Sequence, residues 1–178
     1  MKVINLQKEY YDTHVSRPYI IYKDKSIAER LFRLWKCVWN NRDIVIIEGK
    51  YTRNGIGNDL FYNAKSISRI LCPAENAWGK YNEVLDYVLG NIDNDKLILI
   101  ALGPTATVLA YDLAVNGYQA IDIGHLDNEY EWYLRKVDNR INIEYKYVHE
   151  CGIIGRKVEM IEDETYLSQI ITTIDGEC

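Results

Sequence analysis

Short apolar runs recur along this chain at fairly even intervals. The four clearest runs cover residues 43–48, 68–72, 96–102 and 119–123. Each run is rich in β-branched residues or leucine and lacks strict alternation, which is typical of strands that are buried on both faces of a sheet. The pattern therefore predicts four strands of a mostly parallel sheet.

The segments between these runs have the spacing and the terminal residues of helices. They cover residues 26–40, 59–66, 77–90 and 105–116. Ser26 and Glu29 form a capping box at the start of the first segment, and Asn116-Gly117 is a typical helix stop after the last. Strands and helices that alternate with short connections are typical of βαβ units. We therefore expect an α/β fold, with a mostly parallel, doubly wound sheet and helices on both faces.

The two ends of the chain depart from this alternation. Residues 1–23 contain several tyrosines but no clear strand, which predicts an N-terminal arm that lies over the domain or over a partner chain. Residues 141–148 alternate enough to predict an edge strand. Residues 151–178 contain glycines and an acidic stretch, so we expect a peripheral C-terminal appendage with a closing helix. Residues 1–178 then form a single domain.

Composition excludes several classes of protein. The 178 residues include 26 acidic and 21 basic side chains, a formal net charge of −5, which argues against nucleic acid because that partner requires a basic surface. No stretch resembles a signal peptide or approaches the roughly 20 apolar residues of a transmembrane segment. The four cysteines lie far apart without a CxxC pair, which fits a reducing compartment. We therefore expect a cytoplasmic protein.

The loop after the first predicted strand is a candidate anion site. Two glycines, two residues apart, precede an Asn-Asp helix start, and exposed N–H groups at such a start bind anions. An arginine in the loop can bind a phosphate through two hydrogen bonds. The alternative is a structural loop that needs glycine for its positive φ angles. The candidate substrate-binding residues of this region are Glu48, Arg53, Gly55, Gly57, Asn58 and Asp59.

A second candidate loop follows the third predicted strand. Gly103 permits a close turn, Pro104 suits a first helical turn, and Thr105 can cap the helix. Many nucleotide-binding α/β proteins present a helix dipole to phosphate in this way. A well-capped crossover helix explains the same residues equally well. Gly103 and Thr105 are the substrate-binding candidates here.

The most informative segment follows the fourth predicted strand. It places His125 and the carboxylates of Asp127, Glu129 and Glu131 within seven residues. Acids at alternate positions repel one another unless a cation, a proton or solvent relieves the repulsion, and their oxygens suit a divalent cation. On a helix, Asp127 and Glu131 share a face while Glu129 points elsewhere, so the three could not hold one ion together. The structural alternative is a helix start capped by Asp127 or Asn128.

Several of these segments together resemble the GT-D-type glycosyltransferases, a bacterial family first catalogued as a domain of unknown function. The resemblance rests on residues 48–49, 53–61, 63–70, 101–112 and 122–132, and it covers the chain from about residue 16 to residue 150. It implies a Rossmann-like domain that moves a hexose from a UDP-sugar donor to a glycan or glycoprotein acceptor. Members of this family act in surface glycan biosynthesis.

The resemblance also implies roles for individual residues. A divalent cation, Mn²⁺ or Mg²⁺, falls on Asp127 and Glu129, and acid–base catalysis falls on Glu131 and His125. Arg53 and the 55–59 loop lie near the nucleotide sugar.

One part of the family pattern has no counterpart in residues 1–25. Members of the family carry an additional N-terminal segment with a Phe-Gly-Asp-Gly-Glu-like motif, itself an Asp-x-Glu pair. The alternative function is therefore a non-catalytic, truncated or split-subunit relative that binds a nucleotide sugar or partners a glycosyltransferase. A sheet without its first strand exposes an edge, which predicts a cover from a second copy, a partner subunit or a local segment.

Overall fold

A computed structural model describes residues 7–9, 12 and 14–175 of the chain. The strands are β1 (Asp43–Gly49), β2 (Ser66–Cys72), β3 (Leu97–Ala101), β4 (Gln119–Asp122) and β5 (Ile170–Thr173). The helices are α1 (Ala28–Val38), α2 (Tyr81–Asn91), α3 (Pro104–Val115), α4 (Leu126–Leu134), α5 (Gly152–Gly155) and α6 (Glu164–Gln169). Short 3-10 turns at Lys25–Ile27, Ala77–Lys80 and His149–Cys151 precede α1, α2 and α5.

The five strands of the described chain form one parallel sheet in the order β4-β3-β1-β2-β5. The chain moves from β1 to β2 on one side and then to β3 and β4 on the other side, so the sheet is doubly wound. The prediction of four parallel strands is confirmed, but β4 lies at an edge of the sheet and its residues are exposed or half-buried, so it is not buried on both faces. Because all strands run the same way, their carboxyl ends meet at one edge of the sheet, which is where α/β sheets bind ligands.

Each face of the sheet has its own hydrophobic core. We call the core beneath α1 and α4 the first core, and it contains Ile46 of β1. The neighbouring Ile47 lies in the second core, beneath α2 and α3. Both faces of β1 are therefore buried, and this explains why its sequence shows no alternation. The first core also contains Trp39 and Trp132, which are fully buried.

Two details of the predicted helices are wrong. Residues 59–65 form turns and no helix, and Ser66 already begins β2, because buried side chains such as Phe61 attach this loop to the first core instead of lining one helical face. The capping box of Ser26 and Glu29 is also absent. Asp24 caps the 3-10 turn before α1 by accepting a hydrogen bond from the Ser26 backbone.

The predicted edge strand at residues 141–148 is wrong as well. The segment is irregular, and its backbone bonds to the loop after β1 rather than to a strand: the Tyr147 N–H donates to the Tyr51 carbonyl at 2.8 Å. Ile143 and Val148 of this segment are fully buried in the first core. The apolar pattern that predicted a strand therefore reflects contact with that core rather than sheet pairing.

The C-terminal segment does more than cover the periphery of the domain. Its predicted closing helix is present as α6, and the next residues form β5, which pairs in parallel with β2. This segment therefore supplies an edge of the central sheet. Among the described helices, none is both long and apolar enough to cross a membrane.

The described part of the N-terminal arm lies against the domain. Tyr19 is buried in the first core, and the Trp35 indole donates to the Val15 carbonyl at 3.1 Å. Two of the arm's tyrosines, Tyr10 and Tyr11, lie outside the described residues.

Candidate functional site

The turn after β1 meets the start of α4 at the carboxyl edge of the sheet. The Gly55 N–H donates to Asp127 Oδ1 at 2.8 Å. The Asn58 side-chain amide donates to Asp127 Oδ1 at 2.9 Å and to Glu131 Oε1 at 2.8 Å. The loop after β1 and the segment after β4 therefore meet, and Asp127 and Glu131 share a helix face as their spacing requires.

A buried lysine joins these two carboxylates. Lys146 Nζ lies 2.6 Å from Asp127 Oδ2 and 3.0 Å from Glu131 Oε1, and the lysine side chain has no exposed surface. Burial alone would raise the pKa of Glu131, but the Lys146 ammonium and the Asn58 amide outweigh it and hold this pKa below its ordinary value. We call Gly55, Asn58, Asp127, Glu131 and Lys146 the Lys146 cluster.

Glu48 is part of a separate buried ion pair. Its Oε1 lies 2.6 Å from Arg69 Nη1, and its Oε2 accepts from the Asn54 backbone and side-chain amide at 2.7 and 2.8 Å. Both carboxylate oxygens are thus engaged within the protein. Glu48 was predicted to bind substrate, and in this geometry it holds the start of the loop after β1.

Arg53 was predicted to face an anion, but its guanidinium bonds to backbone carbonyls of the protein. The residue is buried at a φ of 51°, and its Nη1 donates to the carbonyls of Tyr145 and Glu159, both at 2.7 Å. These bonds fix the segment that carries Lys146 against the 53–58 turn. The guanidinium that the sequence offered for phosphate binding is therefore a structural link here.

Glu129 belongs to a different cluster from Asp127. Its Oε2 accepts from the backbone N–H groups of Tyr19 and Ile20 at 3.0 and 2.7 Å, and its Oε1 lies 3.6 Å from Arg17 Nη1. Burial raises the pKa of Glu129. The expectation that Glu129 points away from the other two acids of α4 is confirmed.

His125 lies in this same cluster. Its Nδ1 is 3.3 Å from Glu150 Oε2, while Glu150 Oε1 accepts from Arg17 Nη1 at 2.7 Å. Burial lowers the pKa of His125, which favours the neutral imidazole. Burial alone would raise the pKa of Glu150, but the neighbouring His125 ring and Arg17 guanidinium outweigh burial and hold this pKa below its ordinary value. We call Arg17, His125, Glu129 and Glu150 the Arg17 cluster.

The two clusters do not combine into a metal site. Asp127 is paired with an ammonium, and one oxygen of Glu129 is bound by backbone N–H groups. Within the part of the chain that the structure describes, no three His, Cys, Asp or Glu side chains are arranged to hold an ion. Hard divalent cations need several converging oxygens, so Asp127 and Glu129 do not fit as ligands of a shared Mn²⁺ or Mg²⁺.

The remaining predicted residues lie around these clusters. Asp59 accepts from the Tyr130 hydroxyl at 2.6 Å and from Lys36 Nζ at 2.9 Å, so it connects α1 with α4 instead of starting a helix. Gly103 takes a φ of 54° where the chain enters α3, and Thr105 is buried. No side-chain cap begins α3, so capping by Thr105 is not observed.

No local pattern in the sequence marks Lys146, Arg17 or Glu150 as site residues. Lys146 is 19 residues from Asp127, and Arg17 is 133 residues from Glu150, so no local spacing could connect these partners. Their charges carried no signal because a lysine or glutamate in an irregular segment is ordinarily a solvated side chain.

Substituting Gly57 with alanine is expected to destabilise the 53–58 turn by about 1–3 kcal/mol. Gly57 has a φ of 77°, and an added Cβ would overlap with the Tyr145 hydroxyl. Urea unfolding of the wild type and of Gly57→Ala measures the change in the free energy of unfolding. The control is Gly90→Ala in α2, where nothing lies within 4 Å, and it should be neutral or stabilising. Equal stabilities for the two variants would contradict this description of the turn.

Comparison with known proteins identifies relatives of the chain. The family model for the glycosyltransferase GT-D fold matches residues 1–151. Glycosyltransferase GlyD of Streptococcus pneumoniae serotype 4 is 44% identical over 165 residues, which are 93% of this chain and 20% of that protein. The probable glycosyl transferase Gly of Streptococcus gordonii is 42% identical over 168 residues, 94% of this chain and 24% of that protein. The chain thus spans about a fifth to a quarter of these curated relatives.

Solved structures show the same architecture. A glycosyltransferase from Streptococcus sanguinis, described as DUF1792, has a TM-score of 0.86 at 42% identity, covering 91% of this chain and 60% of that one. A second structure, described as domain of unknown function 1792 with a distinct glycosyltransferase fold, has a TM-score of 0.87 at 42% identity, covering 92% and 58%. The α/β fold class predicted from the sequence is confirmed.

Proposed function

Because the chain belongs to the GT-D family of glycosyltransferases, we propose that it moves a hexose from a UDP-sugar to a glycan or glycoprotein acceptor. The observation that carries this proposal is the meeting of the 53–58 turn with α4 at the carboxyl edge of the sheet. Ligands of open α/β sheets bind at this edge. The proposed reaction is a cytoplasmic step of surface glycan biosynthesis.

His125 is the proposed acid–base residue of the transfer. An acceptor hydroxyl must lose a proton as it attacks the sugar, and a neutral imidazole, here beside Glu150, can take that proton. The His125 side chain is 34% exposed, so a ligand can reach it. Glu131 suits this role less well, because its carboxylate is bound by Asn58 and Lys146 and its pKa is lowered. We therefore assign Glu131 to holding the turn.

The leaving UDP gains negative charge in the transition state, and a divalent cation would neutralise that charge when bound. Asp127 and Glu129 do not fit as its ligands, so neither carries a metal-dependent step in the proposed reaction. The same observation favours a second candidate function, a non-catalytic relative that binds a nucleotide sugar or partners a glycosyltransferase. The sheet edges β4 and β5 are where a second copy or a partner subunit would pair.

Two measurements test these functions together. Isothermal titration with UDP measures binding, and a coupled assay measures UDP release from UDP-glucose, UDP-galactose and UDP-N-acetylglucosamine, each with and without Mn²⁺. Binding and release are expected for the transferase. Binding without release would favour the second function, and a folded chain that does not bind UDP would contradict the transferase.

Replacing Asp127 with asparagine is expected to change the effect of Mn²⁺ on the Kd of UDP by less than about twofold. The reason is that Lys146, and not an open cation position, faces this carboxylate. The control is Asp86→Asn, which removes an exposed acid on α2. Complete loss of the Mn²⁺ effect in the Asp127 variant alone would show that α4 does hold the metal.

A further inference from the structure

A cavity of about 340 Å³ lies between the 53–58 turn and α6. The turn forms one side, the rings of Phe61 and Tyr62 add aromatic surface, and Arg69, Thr165 and Gln169 contribute polar groups. Ligand pockets span roughly 300–1,000 Å³. The cavity is at the small end of that range, which suits a monosaccharide unit and is small for a complete nucleotide sugar.

The charge of the cavity disfavours a phosphate. Of the described residues that line it, only Arg69 is cationic, and Glu48 balances that charge at 2.6 Å. Asp163 adds a carboxylate to the lining. A diphosphate would therefore approach a negative carboxylate without an unpaired cation to offset the repulsion. A neutral ligand avoids this cost.

The polar groups of the cavity are suited to hydroxyl groups. Gln169 Oε1 accepts from Arg69 Nε at 2.8 Å, which orients the amide and leaves its NH₂ group as a donor. One oxygen of Asp163 accepts from the Tyr166 backbone, and the other is available as an acceptor. The hydroxyl of Thr165 can both donate and accept a hydrogen bond. Sugar hydroxyls donate and accept, and the apolar face of a pyranose packs on aromatic rings such as Tyr62.

The cavity shares a wall with the Lys146 cluster. Asn58 lines the cavity, and its amide also donates to Asp127 and Glu131. We propose that the cavity binds a neutral pyranose unit of the acceptor, and that the diphosphate of the donor binds outside it. This inference rests on the proposed function, because only a transferase needs an acceptor beside its donor.

Filling the cavity with a large side chain tests this proposal. Thr165→Trp places an indole at the lining, and Ser168→Trp places one on the same short helix but outside the lining. The probes are methyl β-D-glucopyranoside, methyl β-D-galactopyranoside and UDP, each titrated into the 178-residue chain and followed by NMR. Thr165→Trp is expected to raise the Kd of the glycoside that binds by at least about tenfold and to change the Kd of UDP by less than about twofold. Ser168→Trp should change neither.

The outcomes separate this proposal from the proposed function. The cavity proposal is overturned if neither glycoside binds a chain that binds UDP, or if Thr165→Trp leaves glycoside binding unchanged. It is also overturned if UDP competes with the glycoside, since the cavity would then hold the nucleotide. A third outcome is a wild-type chain that binds a glycoside, loses this binding in Thr165→Trp, and neither binds UDP nor releases it from a donor. This outcome contradicts the proposed function and leaves the cavity proposal standing. Should Thr165→Trp fail to fold, Tyr62→Ala removes an exposed ring from the lining and gives the same comparison.

Discussion

Replacing Lys146 with methionine is expected to lower the free energy of unfolding by about 3–5 kcal/mol at pH 7. Methionine fills much of the same volume but leaves the carboxylates of Asp127 and Glu131 buried without their ammonium. Urea unfolding measures the loss. The control is Lys157→Met, which removes an exposed lysine of the C-terminal segment and should change the free energy of unfolding by less than about 0.5 kcal/mol.

The loss should shrink as the pH falls. In the wild type the pKa of Glu131 lies below its ordinary value, so its stabilisation is present above the ordinary pKa and is lost as the pH falls through the lowered one. Without Lys146, only Asn58 and Arg135 oppose the effect of burial, so the pKa of Glu131 is higher than in the wild type and the variant loses less stability as the pH falls. The difference in the free energy of unfolding between the two proteins therefore narrows as the pH falls below about 5, through the range in which glutamate carboxylates are protonated. A difference that is constant with pH would show that lost packing, rather than charge, causes the effect.

Replacing His125 with glutamine is expected to lower the kcat of UDP-hexose turnover on the order of 10²–10⁴-fold. Glutamine keeps a polar side chain beside Glu150 but cannot act as a base near neutral pH. The KM for the donor should change little, because the imidazole acts in the chemical step. The measurement is steady-state UDP release from the hexose donor that the chain turns over fastest.

The matched control for this prediction is His149→Gln. His149 is exposed and acts on His125 only through its charge, so its loss should change kcat far less than the loss of His125. If a well-folded Glu131→Gln variant loses as much turnover as His125→Gln, the result would favour Glu131 as the general base. An active His125→Gln variant would remove the imidazole from the mechanism.

The strands of the sheet interior could be predicted because each is buried on both faces. Such a strand appears in the sequence as an unbroken apolar run, as residues 97–101 do. β5 carries the opposite pattern, since Ile171 and Thr173 are exposed at the sheet edge. A short strand with two exposed side chains has no signal that separates it from a loop.

The candidate site was predictable where the backbone alone determines geometry. The helical period placed Asp127 and Glu131 together and Glu129 apart, and this needed no knowledge of partners. The use of Arg53 could not be predicted in the same way. A guanidinium satisfies backbone carbonyls as readily as a phosphate, and only the fold decides which group it meets.

The pairing of β5 with β2 also sets an order of events during synthesis. Arg69 donates to Gln169, a residue 100 positions later in the chain, and its guanidinium lies 4.8 Å from the ring of Tyr166. While the ribosome is still making α6 and β5, the side of the Glu48–Arg69 pair that these elements will cover is open to water. Domains generally fold as units during translation. The burial of this ion pair is therefore a late step, which follows the release of residues 164–173 from the exit tunnel.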